Sequence, residues 1–189
     1  MIVVVIIGIL STVAIPSYRQ YVVDSKIAEA YVNIDALTKK ELSYFADNNE
    51  FLTLNSNPSA LTSGMTIESD ATWEQNGNPI AQGTNVYFSY AALAGGLDEA
   101  GLGITGIGTD SATIGLNTDS GSCRDSSTPE DFGVVPQNNF RFVEILAQGN
   151  LDGTSADQKC TVLVKIIQTD PANSGGPTST PIIILNKGS

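Results

Sequence analysis

The chain has no histidine anywhere in its 189 residues. Without imidazole there is no Ser-His-Asp or Cys-His catalysis, no imidazole metal ligand and no covalent haem site of the C-x-x-C-H kind. Cysteine is scarce too: only Cys123 and Cys160 are present, and they are not in C-x-x-C spacing. Basic residues are few, with nine Lys and Arg against twenty Asp and Glu and a net charge of -11. That balance excludes nucleic-acid binding through a general basic surface, and no local nucleic-acid site is visible. The only tryptophan is Trp73, within a polar stretch where it is expected to act as a packing anchor. No convergent catalytic motif is present, so neither an enzyme nor a cofactor is expected.

Charge is also missing from the start of the chain. The opening "MIVVVIIGILSTVAIPSYRQYVV" carries no charged side chain before Arg19, yet it contains Gly8 and Pro16. A secretory signal needs a basic stretch ahead of its apolar run and a small-residue cleavage site after it, which fits poorly here. A transmembrane helix wants about 20 apolar residues, and this run is only slightly short of that. A buried core helix is a third reading. The run is rich in β-branched residues, which lose rotamer freedom in a helix. An apolar helix this uniform needs apolar neighbours all round.

Beyond Pro16 the pattern changes. Val23, Ile27, Ala30, Ile34, Leu37 and then Tyr44 with Phe45 recur at spacings of three and four, and Asp24, Lys26, Glu29, Asn33, Asp35, Lys39 and Lys40 fill positions between them. This is the signature of an amphipathic helix with one buried stripe. Asp35 and Lys39 stand four apart with the acid first, an order worth about 0.2–0.5 kcal/mol. Asp47, Asn48 and Asn49 end the pattern with capping and turn chemistry. One helix of about forty-five residues, apolar first and amphipathic second, is the simplest reading.

Residues 52–84 are rich in Asn, Ser, Thr, Gly and Pro and are expected to form a long irregular connection over the domain. Four strand candidates follow: "VYFSYAAL" (Val86 to Leu93), "FRFVEILA" (Phe140 to Ala147), "CTVLVKII" (Cys160 to Ile167) and "PIIIL" (Pro181 to Leu185). They are β-rich and bounded by turn formers. "ATIGL" within 95–121 is a further short candidate. An antiparallel sheet with one face on the amphipathic half of the helix makes the fold α+β. The expected organisation is an apolar half-helix at 1–22 and a globular domain at 23–189, divided into helix 23–47, connection 48–85 and sheet region 86–189. A calcium loop from Asn150, Asp152 and Asp157 is disfavoured, because the twelfth position counted from Gln148 is Lys159 rather than a bidentate acid. A solvated β-turn at "NLDG" is the better reading. Tyr18, Tyr21, Tyr31, Tyr44 and Phe45 read as packing residues rather than an electron path.

The stretch "MIVVVIIGILSTVAIPSYRQYVVDSKIAEAYVNIDAL" resembles the amino-terminal helix of type IV pilins, with Gly8 and the "AIP" of Ala14, Ile15 and Pro16 at the family's places. "SYFADNNEF" is similar to the end of that helix, and "AQGNLDG" (Ala147 to Gly153) to a turn after one of the family's strands. The resemblance is specific over about the first fifty residues. It implies a basic leader removed by a prepilin peptidase, and a methylated mature terminus with a Glu that lies upstream of the Met corresponding to Met1. Some six mature residues are therefore expected to precede Met1.

The same resemblance implies a subunit held in the inner membrane by its apolar half-helix. The assembly machinery then packs it with identical subunits into a helical homopolymer, an extracellular filament for adhesion, twitching motility or DNA uptake. Met1, Val5, Ile6, Ile9, Leu10 and Val13 are the residues expected in the filament core. A pseudopilin of a type II secretion system, with a short periplasmic piston, is the alternative. Export to an oxidising compartment implies a Cys123–Cys160 disulfide. Pro16 lacks the N–H for the carbonyl of Thr12 and Gly8 is a weak helix former. The segment from Gly8 to Pro16 is therefore expected to stay helical in a bilayer and to open in the filament, as the family resemblance also implies.

Overall fold

The computed structural model describes residues 2–59, 65–97, 104–105, 141–149, 151, 161–169 and 176–185. Cys123, Cys160, Met1, the "ATIGL" stretch and the calcium-loop candidates Asn150, Asp152 and Asp157 lie outside the described residues.

Helix α1 runs unbroken over Ile2–Asn48 with Pro16 inside it. Its termination follows the expected chemistry. Asn48 Nδ2 donates to the carbonyl of Tyr44 at 3.0 Å, and Asn49 adopts φ 57 while its N–H donates to Phe45 O at 2.7 Å. An asparagine in the left-handed region satisfying a late carbonyl is a common helix stop. The stripe is buried as its spacing requires, with Ile27, Ala30, Ile34 and Leu37 in the core and Val23 and Phe45 packed beside them. Phe45 stacks on Phe51 at 4.6 Å between ring centres. The Asp35–Lys39 pair forms at 3.0 Å, and Asp35 also lies 3.7 Å from Lys165.

The connection after α1 is more ordered than its composition predicts. It contains β1 (Leu54–Asn57), β2 (Met65–Thr66), α2 (Ala71–Gln75) and β3 (Asn85–Val86). Asp70 caps α2, accepting from the N–H groups of Thr72 and Trp73, as an N-cap acid should. Trp73 is fully buried, and its Nε1 donates to Asn55 O at 2.8 Å. It is the anchor the sequence marks.

Strands β4 (Ser89–Leu97), β5 (Ile104–Thr105), β6 (Arg141–Gly149), β7 (Thr161–Thr169), β8 (Thr178–Ser179) and β9 (Ile183–Leu185) complete the elements. The sheet has the order β1-β4-β6-β7-β8, with β5 paired to β4 and β9 to β7; β2 and β3 form a separate pair. The pairings are antiparallel, so the α+β expectation holds. β6 and β7 pair along their whole length, from Arg141↔Thr169 to Gly149↔Thr161.

One strand expectation needs correction. The run from Val86 to Leu93 is not one strand: β3 ends at Val86 and β4 begins at Ser89. The break lies where two long-range contacts meet: the Tyr87 N–H is taken by Glu29 Oε1 at 3.0 Å and the Phe88 ring fills the space beside Gly149. The sheet packs one face on α1 as expected, and its other face is buried too. Opposed residues share a face in an antiparallel pair, so Tyr90, Ala92, Val143, Ile145, Ala147, Leu163 and Ile167 form the face that meets α1. The opposite face carries Leu93, Phe142, Leu146, Val164 and Ile166, and these are buried as well. Near-continuous apolar runs such as "FVEILA" are what a strand covered on both faces requires.

Candidate functional site: the exposed half of α1

From Ile2 to Tyr21 no described residue of α1 is buried, and its large apolar side chains are open to solvent, from 51 % at Ile6 to 77 % at Ile2. Residues 2–22, at a rise of about 1.5 Å each, span about 30 Å, the thickness of a bilayer's hydrocarbon core. This helix is long and apolar enough to cross a membrane. Burying those side chains is worth about 1.5–3 kcal/mol each. An isolated, water-exposed half-helix of this kind leaves all of that unrealised.

The structure places the expected residues together on this one element. Val5, Ile6, Ile9, Leu10 and Val13 are all exposed around the helix. Gly8, Ala14, Ile15 and Pro16 lie within the same helical run, and a Cβ built at Gly8 meets nothing within 4 Å. The few polar groups satisfy themselves: Ser11 Oγ donates to Ile7 O at 2.8 Å, Thr12 Oγ1 to Ile9 O at 2.7 Å and Ser17 Oγ to Val13 O at 3.1 Å. A hydroxyl bonded back to its own helix places no unpaired donor in an apolar environment. Tyr18 and Tyr21 are exposed as well, so packing within the chain does not account for them as it does for Phe45.

The helix is fixed to the domain by polar side chains that its sequence pattern assigns only to the outer face. Glu29 Oε1 accepts from the Tyr87 N–H and from Tyr90 Oη at 3.3 Å, and Asn33 Nδ2 donates to Tyr90 Oη at 2.8 Å. Burial, with the Glu29 carboxylate beside it, pushes the Tyr90 phenol well above its ordinary range. Lys26 Nζ donates to Leu151 O at 3.3 Å and stands 4.9 Å above the Tyr87 ring. These contacts hold the rim where α1 leaves the sheet, so the apolar half projects from an anchored base.

Two buried acids went unmarked in the sequence. Glu41 and Glu144 are almost fully buried, and burial pushes each carboxyl up to about 7. Glu41 does carry a signal, since it follows Leu37 by four and Ile34 by seven and so falls on the core stripe. Glu144 sits in the middle of an apolar strand, and its Oε1 has no hydrogen-bond partner among the described residues. Among the described residues no group of three or more Cys, Asp or Glu is arranged to hold a metal ion. Comparison with protein-family models, with curated proteins and with solved structures found no match to the chain.

Proposed function

We propose that the chain is the structural subunit of a type IV pilus, anchored in the inner membrane by residues 1–22 and polymerised through them into an extracellular filament. One observation carries the reading: a half-helix apolar on all sides and exposed on all sides is joined to an acidic, polar domain. Such a surface suits two apolar environments in turn, first lipid and then the packed helices of identical subunits. The placement of Gly8 and of Ala14, Ile15 and Pro16, where the resembled family has them, supports this reading over a plain membrane anchor. The back-bonded hydroxyls of Ser11, Thr12 and Ser17 suit both environments.

The test is assembly. Ile6→Asp or Ile9→Asp places an unpaired charge where only apolar neighbours are available, at a cost of about 3 kcal/mol or more per subunit. Sheared cell-surface fractions viewed by electron microscopy should contain filaments of this chain for the wild type and none for either variant. Normal filaments from Ile9→Asp would overturn the reading, and filaments confined to the periplasm would replace the pilus with a secretion pseudopilus.

A further inference from the structure

The turn that ends α2 holds the chain's one Asn-Gly pair, Asn76 and Gly77. Such a pair carries its own chemistry. The Gly77 backbone nitrogen can attack Asn76 Cγ, and glycine has no Cβ to obstruct the approach. The new C–N bond closes a cyclic imide while the Cγ–Nδ2 bond breaks, and ammonia leaves with the Gly77 amide proton. Water then opens the ring at either carbonyl. The product is aspartate or, where the main chain is left running through Cβ, isoaspartate.

The fold opposes this reaction at each atom it needs. Gly77 adopts φ 74; its N–H donates to Glu74 O at 3.0 Å, and the Asn78 N–H donates to Trp73 O at 2.8 Å. These are the paired bonds of a glycine-terminated helix end. The leaving group is held as well. Asn76 Nδ2 donates at 2.5 Å to Oε1 of Glu41, a fully buried carboxyl on α1 whose Oε2 accepts the Leu52 N–H, and Asn76 itself is 5 % exposed. At ψ 3 for Asn76 the Gly77 nitrogen points away from the side chain. Bringing it beside Cβ turns the peptide by about a third of a rotation, which breaks both backbone bonds.

We propose that Asn76 is a deamidation site gated by the clasp that Glu41 makes on the end of α2: the closed turn keeps it unreacted, opening of the turn admits ring closure, and the product does not clasp again. Reaction of a transiently opened segment follows the population of its open form. Either product lacks the Nδ2 donor and leaves the buried Glu41 Oε1 without its partner. Isoaspartate also inserts a carbon into the main chain between groups that must line up to close the helix end. The modification therefore records, in one direction, that the connection has opened. The inference stands apart from the pilus reading, because it concerns the domain alone.

The full wild-type chain is incubated at pH 8, folded in detergent micelles and unfolded in urea, and deamidation is located by tandem mass spectrometry. Exchange of the Gly77 amide in the folded chain is followed by NMR. Ring closure needs that same N–H released, so folding should slow deamidation of Asn76 by at least the protection factor of the Gly77 amide. The isolated isoaspartate product should have a less protected Asn78 amide than the unmodified chain. Glu41→Leu, which removes the acceptor, should speed the reaction in the folded chain on the order of 10-fold. The proposal is overturned by an Asn76 that does not react in urea, by a slowing smaller than the Gly77 protection factor, or by a product whose Asn78 amide is as protected as before. A folded Glu41→Leu chain that reacts no faster than the wild type overturns it too. The wild-type comparisons decide the matter even if Glu41→Leu does not fold.

Discussion

Glu144 offers the sharpest test of how this sheet is built. It is 2 % exposed on β6, opposite Leu93 and Ile166, and burial raises its carboxyl from 4.5 to about 7. The unfolded chain gives up this proton near pH 4.5 and the folded one keeps it to about 7. Stability from this group is thus fully present below pH 4.5 and is lost as pH rises through 7. At roughly 1.4 kcal/mol per pH unit the loss is about 3 kcal/mol. Replacing Glu144 with Leu removes the buried charge, so Glu144→Leu should be more stable than the wild type by about that 3 kcal/mol at pH 8, with a shallower fall between pH 4.5 and 7. Glu41 titrates in the same window, so part of the slope should survive. The chain's single tryptophan is buried, so urea unfolding followed by Trp73 fluorescence in mild detergent at pH 5, 6, 7 and 8 supplies the curve. A wild type whose stability climbs over that range, or a Glu144→Leu variant less stable than it at pH 8, would refute the reasoning.

The other predictions concern packing and covalent structure. A Cβ at Gly95 would collide with the Phe142 ring, which is itself buried. Gly95→Ala should therefore cost about 1–3 kcal/mol by overpacking in urea unfolding, and Phe142→Leu in the same chain should recover part of it. Cys123 and Cys160 should be joined in exported protein, so unreduced mass spectrometry should find no free thiol. Reduction should then cost about 3–4 kcal/mol of stability on the chain-closure relation.

The long helix and its two characters were legible because periodicity is a local signal: Ile27, Ala30, Ile34 and Leu37 repeat at spacings that only a helix brings to one side. Its end was legible from Asn48 and Asn49, whose side chains and left-handed tolerance stop helices. Strands β6, β7 and β9 were visible as β-rich runs. The break at Tyr87 was not, because it depends on Glu29, fifty-eight residues away in sequence, accepting its N–H. The same limit explains α2 and the short strands of the connection: Asp70, Thr72 and Trp73 act on Asn55 across a turn of chain that composition alone reads as loop. Polar residues misled most. Lys26, Glu29 and Asn33 look like the wet side of the helix, yet they bind the sheet rim through Leu151, Tyr87 and Tyr90. Burial of both faces of β6 and β7 was foreshadowed by their unbroken apolar runs, whose meaning depends on what the rest of the chain supplies.

A helical reconstruction of filaments sheared from cells making this chain tests the central claim most directly. The account predicts a core of identical helices in which Val5, Ile6, Ile9, Leu10 and Val13, solvent-exposed in the single chain, contact the same helix of neighbouring subunits. The backbone from about Gly8 to Pro16 should be drawn out of the helix seen in the single chain, with helix on both sides. Filaments whose core is built from another part of the chain, with these side chains on the outer surface, would contradict it.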